Sequence, residues 1–144
     1  MTNKNKIIPR ILPTLTLSSI EEAKKVYAVL QAANINSIEV TLRPSVSDEA
    51  IEFLANQPEI NLGLGTVLNV TQLLKFKSLN ICYAVSPGFN EDVHDYCKKE
   101  EIAYIPGVET ASEVMKMMSF GLDRLKFFPA EQSGGVEKLK SFNA

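Results

Sequence analysis

The chain has 144 residues, 45% of them hydrophobic and 22% charged, and a formal net charge of −2. That length suits a single core, and a charge so near zero leaves no electrostatic footprint for nucleic acid or an anionic membrane surface. No apolar run approaches the ~20 residues needed to span a bilayer. The start, Met1-Thr2-Asn3-Lys4-Asn5-Lys6, is basic but has no long apolar segment before Pro9 and so does not read as a signal peptide. Cys82 and Cys97 form no CxxC pair and no disulfide framework, which points to a reducing, cytoplasmic setting. His94 is the single histidine and sits between Asp92 and Asp95 in a charged stretch, where a surface position is expected. A metal-dependent site or a Ser-His-Asp triad would have to draw on it, so neither is expected.

In chain order, Ile7–Leu17 holds the first strand candidate in its second part. Ser18 and Ser19 each precede a glutamate by three residues, which predicts a capped helix with Ala23, Val26, Tyr27 and Leu30 on one stripe and Asn34 and Asn36 at its close. Ser37–Leu42 reads as the second strand, ended by Pro44, and Val46–Gln57 as the second helix. Asn61–Thr66 is a third strand, followed by a short helix from Asn69 with Gln72 in capping-box position. Cys82–Ser86 is a strand broken by Pro87-Gly88, with a helix from Asn90 to Glu100 behind it. Ile102–Ile105 is a strand stopped by Pro106-Gly107. Thr110 and Glu113 frame another capping box, opening a helix to Phe120 that Gly121 ends. Arg124–Phe128 is the last strand, and Gly134-Gly135 leads into a helical fragment, Val136–Ser141.

About six strand–helix units of near-continuous apolar strands predict a parallel sheet with crossover helices, as one domain over residues 1–144. Both an open doubly wound sheet and part of a (β/α)₈ barrel fit that pattern. A doubly wound nucleotide binder favours a glycine-rich turn after the first strand, whereas Leu17-Ser18-Ser19 has none, and Gly63-Leu64-Gly65-Thr66 lacks the third glycine of a dinucleotide fingerprint.

Two strands carry charge where apolar residues are expected. Lys126 shares a strand face with Phe128, opposite Leu125 and Phe127. An ammonium desolvated beside a ring loses preference for its charged form and becomes a nucleophile for carbonyl carbon, whereas a lysine that snorkels to water does not. On the second strand Glu39, Thr41 and Arg43 alternate with Ile38, Val40 and Leu42. That set is either a structural ion pair or a proton-transfer carboxylate beside a carboxylate-clamping guanidinium. Thr66, Ser86-Pro87-Gly88, Pro106-Gly107 and Lys126 mark the carboxyl ends of four further strands, the edge at which parallel α/β folds bind ligands.

Glu39-Val40-Thr41-Leu42-Arg43, Gly65-Thr66-Val67-Leu68, Ser86-Pro87-Gly88, Ile105-Pro106-Gly107 and Lys126-Phe127-Phe128-Pro129-Ala130-Glu131 occur in that order. The sequence from Ile11 to Leu139 resembles the 2-dehydro-3-deoxy-phosphogluconate (KDPG) / 4-hydroxy-2-oxoglutarate (KHG) aldolases, class I Schiff-base enzymes on a (β/α)₈ TIM barrel. The resemblance implies Lys126 as the Schiff-base lysine and Glu39 as the general acid/base acting through water. It implies Arg43 and Thr66 as holders of the pyruvate carboxylate, with Pro87 lining the site and Phe128 packing over it. It further implies a 2-keto acid substrate, no cofactor, no metal, and a homo-oligomer, a trimer in the family.

The pattern departs from the family after Lys126. A complete barrel takes at least about 200 residues, and no counterpart of a seventh or eighth strand is present in this sequence. The family's phosphate-binding loops lie there, so phosphate recognition is not carried over. Ser133-Gly134-Gly135 reads as a helix-entry turn more readily than as an anion site. The first and last strands are expected to keep open edges, which a second copy of the chain could cover. An incomplete barrel of this kind could also be catalytically silent, acting as an interaction partner or as a binder of keto acids.

Overall fold

Among the described residues, five of the six helices begin where the sequence supplies a side-chain oxygen for otherwise unpaired N–H groups. In the computed structural model, which describes residues 9–142, these are α1 (Ile20–Ala32), α2 (Asp48–Ala55), α3 (Val70–Lys75), α4 (Glu91–Lys99) and α5 (Ala111–Ser119). Their caps are Ser19, Ser47, Asn69, Asn90 and Thr110. Reciprocal capping boxes form at Asn69–Gln72 and Thr110–Glu113. At α1 the carboxylate of Glu22 reaches back one residue further, accepting from the Ser18 N–H at 2.7 Å and the Ser18 hydroxyl at 2.9 Å. The last helix, α6 (Gly135–Ser141), has no side-chain cap and starts from Gly134 at φ 103°, a conformation open to glycine. The stretch Met1–Lys6, read above as unlike a signal peptide, lies outside the described residues, as do Ile7 and Ile8 of the first strand candidate.

The strands are β1 (Thr14–Leu15), β2 (Ser37–Thr41), β3 (Asn61–Gly65), β4 (Tyr83–Val85), β5 (Ala103–Ile105), β6 (Gly107–Val108) and β7 (Lys126–Phe127). All pairings are parallel: β1-β2-β3-β4-β5 form one sheet and β6-β7 another. Parallel strands joined in sequence order by helices make an incomplete (β/α)₈ barrel of about six units. The doubly wound alternative, in which strand order reverses at a switch point, is not what forms.

The fifth strand stops at Ile105, before Pro106-Gly107, as the sequence suggested, but Gly107-Val108 open a further strand with a different partner: β5 pairs with β4, and β6 pairs with β7. Proline has no N–H to offer the first ladder, but its carbonyl accepts from the Lys126 N–H at 2.9 Å. This handover sets Lys126 in register with Gly107.

The main core lies between the outer face of the sheet and the helices. Ile38, Val40, Leu62 and Leu64 from β2 and β3 meet Ala23, Leu30, Ile51 and Leu54 from α1 and α2, all buried. Full burial of one such side chain is worth about 1.5–3 kcal/mol. A second, smaller cluster of Cys82, Tyr83, Val85 and Ile105 is joined by Leu12. No helix among the described residues is long and apolar enough to cross a membrane.

His94 also differs from expectation. It is buried, 7% exposed, with its ring centroid 5.3 Å from Phe120 and 5.9 Å from Phe89. The reason is helical spacing: His94 follows Val93 and precedes Cys97 on the inward face of α4, while Asp92 and Asp95 face water. Its Nδ1 contacts the Asp95 carboxylate at 2.9 Å, at the solvent boundary.

Candidate active site

On β2 the pleat sends Ile38 and Val40 outward into the helical layer and Ser37, Glu39 and Thr41 to the inner face. Inward-facing polar residues on a doubly covered strand need partners, and Glu39 has few. It is 4% exposed, and its Oε2 accepts from the Thr14 hydroxyl at 3.5 Å. Its Oε1 is buried with no hydrogen-bond partner. Burial raises the carboxyl above its ordinary value, while the nearby Lys126 ammonium and the Thr14 hydroxyl oppose that rise. A buried carboxylate oxygen with no protein donor is poised to exchange a proton with water or a ligand.

Lys126 enters the same region from β7. It is half-buried, and its Nζ lies 4.7 Å from the centroid of the Phe128 ring, within cation–π range. Its charge acts on Glu39, opposing the rise that burial causes there. Phe127, on the opposite face of β7, packs edge-on against Phe142 at 6.2 Å.

Phe128 is 42% exposed and, with Pro87, lines a cavity of about 440 Å³ at the carboxyl ends of β4, β6 and β7. Phe89, Val108, Met117 and Pro129 complete its apolar wall, and Glu109, Glu113 and Lys116 stand at its polar side. The phenyl ring of Phe128 therefore touches both the amine and the cavity.

Thr66 directly follows β3 with φ 57°. A β-branched residue in the left-handed region is a genuine outlier and stores strain of about 1–3 kcal/mol, which recurs at ligand-binding positions. Arg43 is not brought to Glu39. Strand β2 ends at Thr41, the Arg43 N–H bonds back to the Thr41 carbonyl at 2.9 Å, and the side chain is exposed. It lines a separate groove with Asp48, Gln72 and Lys75. Among the described residues no ion pair links Glu39 and Arg43, so the structural pair considered from the sequence does not form. Arg43 and Thr66 do stand one residue beyond a bonded point, the Leu42 N–H donating to the Gly65 carbonyl at 2.8 Å.

Two members of the site escaped sequence reasoning. Thr14 was visible only as part of the alternation Thr14-Leu15-Thr16-Leu17, which sets its hydroxyl on the inner face. Tyr83 was hidden inside an apolar strand. Its hydroxyl donates to the Ile38 carbonyl at 2.9 Å, and burial followed by the Glu39 charge raises its pKa.

Fold and site together set a half-buried lysine on β7 and a buried carboxyl on β2 of a partial parallel barrel. Residues 3–144 match the family model of the KDPG and KHG aldolases, and the chain belongs to that family. It is 39% identical over 131 residues to the 2-dehydro-3-deoxy-phosphogluconate aldolase of Zymomonas mobilis, spanning 91% of this chain and 63% of that protein. To the KHG/KDPG aldolase of Escherichia coli it is 37% identical over 132 residues, 91% of this chain and 62% of that one. The fold superimposes with a TM-score of 0.84 on the KDPG aldolase of Legionella pneumophila, solved with pyruvate captured as a covalent carbinolamine intermediate. That match is 34% identical and covers 92% of this chain and 65% of the other. The chain thus spans just under two thirds of the length of these relatives.

Proposed function

We propose that the chain carries the Schiff-base centre of a class I aldolase that cleaves 2-keto-3-deoxy-6-phosphogluconate, 4-hydroxy-2-oxoglutarate or both. The observation that carries the proposal is a half-buried Lys126 amine against the Phe128 ring together with a buried Glu39 carboxyl whose Oε1 has no protein partner. The Lys126 amine adds to the C2 ketone, and loss of water gives an iminium that serves as an electron sink. Glu39, through water, takes the proton of the C4 hydroxyl. The C3–C4 bond then breaks, an aldehyde leaves, and the electron pair rests in an enamine. Return of the proton to C3 and hydrolysis of the imine release pyruvate and regenerate the amine. A carboxyl that keeps its proton to higher pH than usual suits that two-way traffic.

Thr66 and Arg43 are assigned to the substrate carboxylate, Arg43 through its two-pronged donors. Supporting this, Thr66 directly follows β3 and Arg43 lies two residues past the end of the neighbouring β2. Pro87 and Phe128 are assigned to the wall of the site. A homo-oligomer, a trimer by family resemblance, is assigned to the chain, and the 38% and 42% exposure of the apolar Leu15 and Phe128 supports a covering copy. Cys82 and Cys97 are both buried and are not bonded to each other, which supports a reducing cytoplasm.

The position of Arg43 in a groove of its own favours a second reading, a catalytically silent barrel that binds keto acids or another subunit. Pyruvate release from each keto acid, measured beside Lys126→Ala, separates the two. Turnover by the parent protein that the variant lacks supports the aldolase; equal background from both supports the silent barrel.

A further inference from the structure

The inner face of β3 carries no side chain at two successive inward positions, Gly63 and Gly65, and different groups fill the two gaps. A Cβ added to Gly63 would run into the Tyr83 ring. A Cβ added to Gly65 would overlap Glu39 Oε1 and come within 2.7 Å of its Cδ and 2.8 Å of its Cγ. Register makes this informative. The strand partner of Glu39 is Gly63, and that of Gly65 is Thr41. The space over its own partner is held by Tyr83, whose hydroxyl is anchored on the Ile38 carbonyl at 2.9 Å. The Glu39 side chain therefore leans two residues along, toward the carboxyl end of the sheet, and rests on Gly65.

From this packing we infer that Gly65 is a positioning residue for proton transfer. The missing side chain is the slot that admits the Glu39 carboxyl, and Tyr83 on Gly63 is the wedge that directs it there. The inference rests on the assignment of Glu39 as the acid/base group. The φ of Gly65 is not in the left-handed region, so backbone freedom does not require glycine here; the close approach of Glu39 does. With alanine at 65 the carboxyl must move, and the amine–carboxyl arrangement changes while Lys126 itself stays in place on β7.

The test follows two half-reactions of pyruvate on the full chain. Borohydride trapping at Lys126 reports imine formation, and deuterium exchange into the pyruvate methyl group, read by NMR, reports proton transfer. Gly65→Ala is expected to trap pyruvate like the parent protein but to exchange about 10²-fold more slowly, with a displaced pH profile. In a Glu39→Gln background the same alanine is expected to change exchange by less than about twofold, because the group it displaces no longer transfers protons. The fall in melting temperature caused by Gly65→Ala is expected to shrink in a Glu39→Ala background, where the Cγ and carboxyl that meet the new methyl are gone. Parental exchange by Gly65→Ala, an equal exchange penalty in the parental and Glu39→Gln backgrounds, or an undiminished loss of melting temperature beside Glu39→Ala overturns the inference while leaving the aldolase assignment intact. If the parent protein itself neither traps nor exchanges, the assignment falls and the inference with it.

Discussion

The two faces of β2 are buried to the same degree and built from opposite chemistry. Outward, Ile38 and Val40 are fully covered by helices. Inward, Ser37, Glu39 and Thr41 are nearly as inaccessible, yet Glu39 Oε1 has no partner and Thr41 depends on Thr16 and the Leu15 carbonyl. The next strand repeats the contrast, Leu62 and Leu64 outside against Gly63 and Gly65 inside. Burial alone thus does not mark a core. The outer face is closed by packing, whereas the inner face holds a costly carboxyl and makes room for it with glycine, a stability loss that a site tolerates and a core does not.

Substitutions on the two faces should therefore fail in different ways. The largest effect is expected at Lys126: Lys126→Ala should remove aldol cleavage down to background while leaving the melting temperature close to parental. Next, Glu39→Gln should slow turnover by about 10²–10⁴-fold and leave pyruvate trapping at Lys126 measurable. On the other face, Leu62→Ala should cost about 2–5 kcal/mol of stability in denaturant titration, with the imine chemistry of the surviving folded fraction unchanged. An inner-face change that only destabilised, or an outer-face change that only slowed chemistry, would break the comparison.

Several parts of this arrangement were legible in the sequence for physical reasons. Caps are local, so Asn69 with Gln72 and Thr110 with Glu113 gave helix starts directly. Strand alternation is also local, and it set Glu39 opposite Ile38 and Val40 and put Lys126 beside Phe128. What the alternation could not give was the point where a strand stops being a strand. It was extended to Arg43, but the backbone turns after Thr41 and carries the guanidinium into water. Nor could it give the partner change at Pro106, which depends on β7 arriving from a later part of the chain. The charged neighbours of His94 masked a helical face that Val93 and Cys97 already defined. The role of Gly65 is a cross-strand contact with no signature in its own strand.

A smaller effect sharpens the account of Glu39. Its carboxyl is raised in the folded chain above the ordinary value of 4.5. Between those two values the folded state holds more of the proton than the unfolded state, so stability falls as pH rises through that window. The slope is at most about 1.4 kcal/mol per pH unit, and Glu39→Gln should remove this contribution from denaturant midpoints measured across the window. Smallest of all, Thr110→Ala should cost about 1 kcal/mol by opening the α5 capping box.

Peptide mapping after borohydride reduction in the presence of pyruvate tests the central pairing most directly. Reduced pyruvate on the peptide bearing Lys126, lost in Lys126→Ala, is the predicted result. A folded chain that yields no adduct, or yields it on exposed lysines such as Lys116 and Lys140 in proportion to their accessibility, would contradict it.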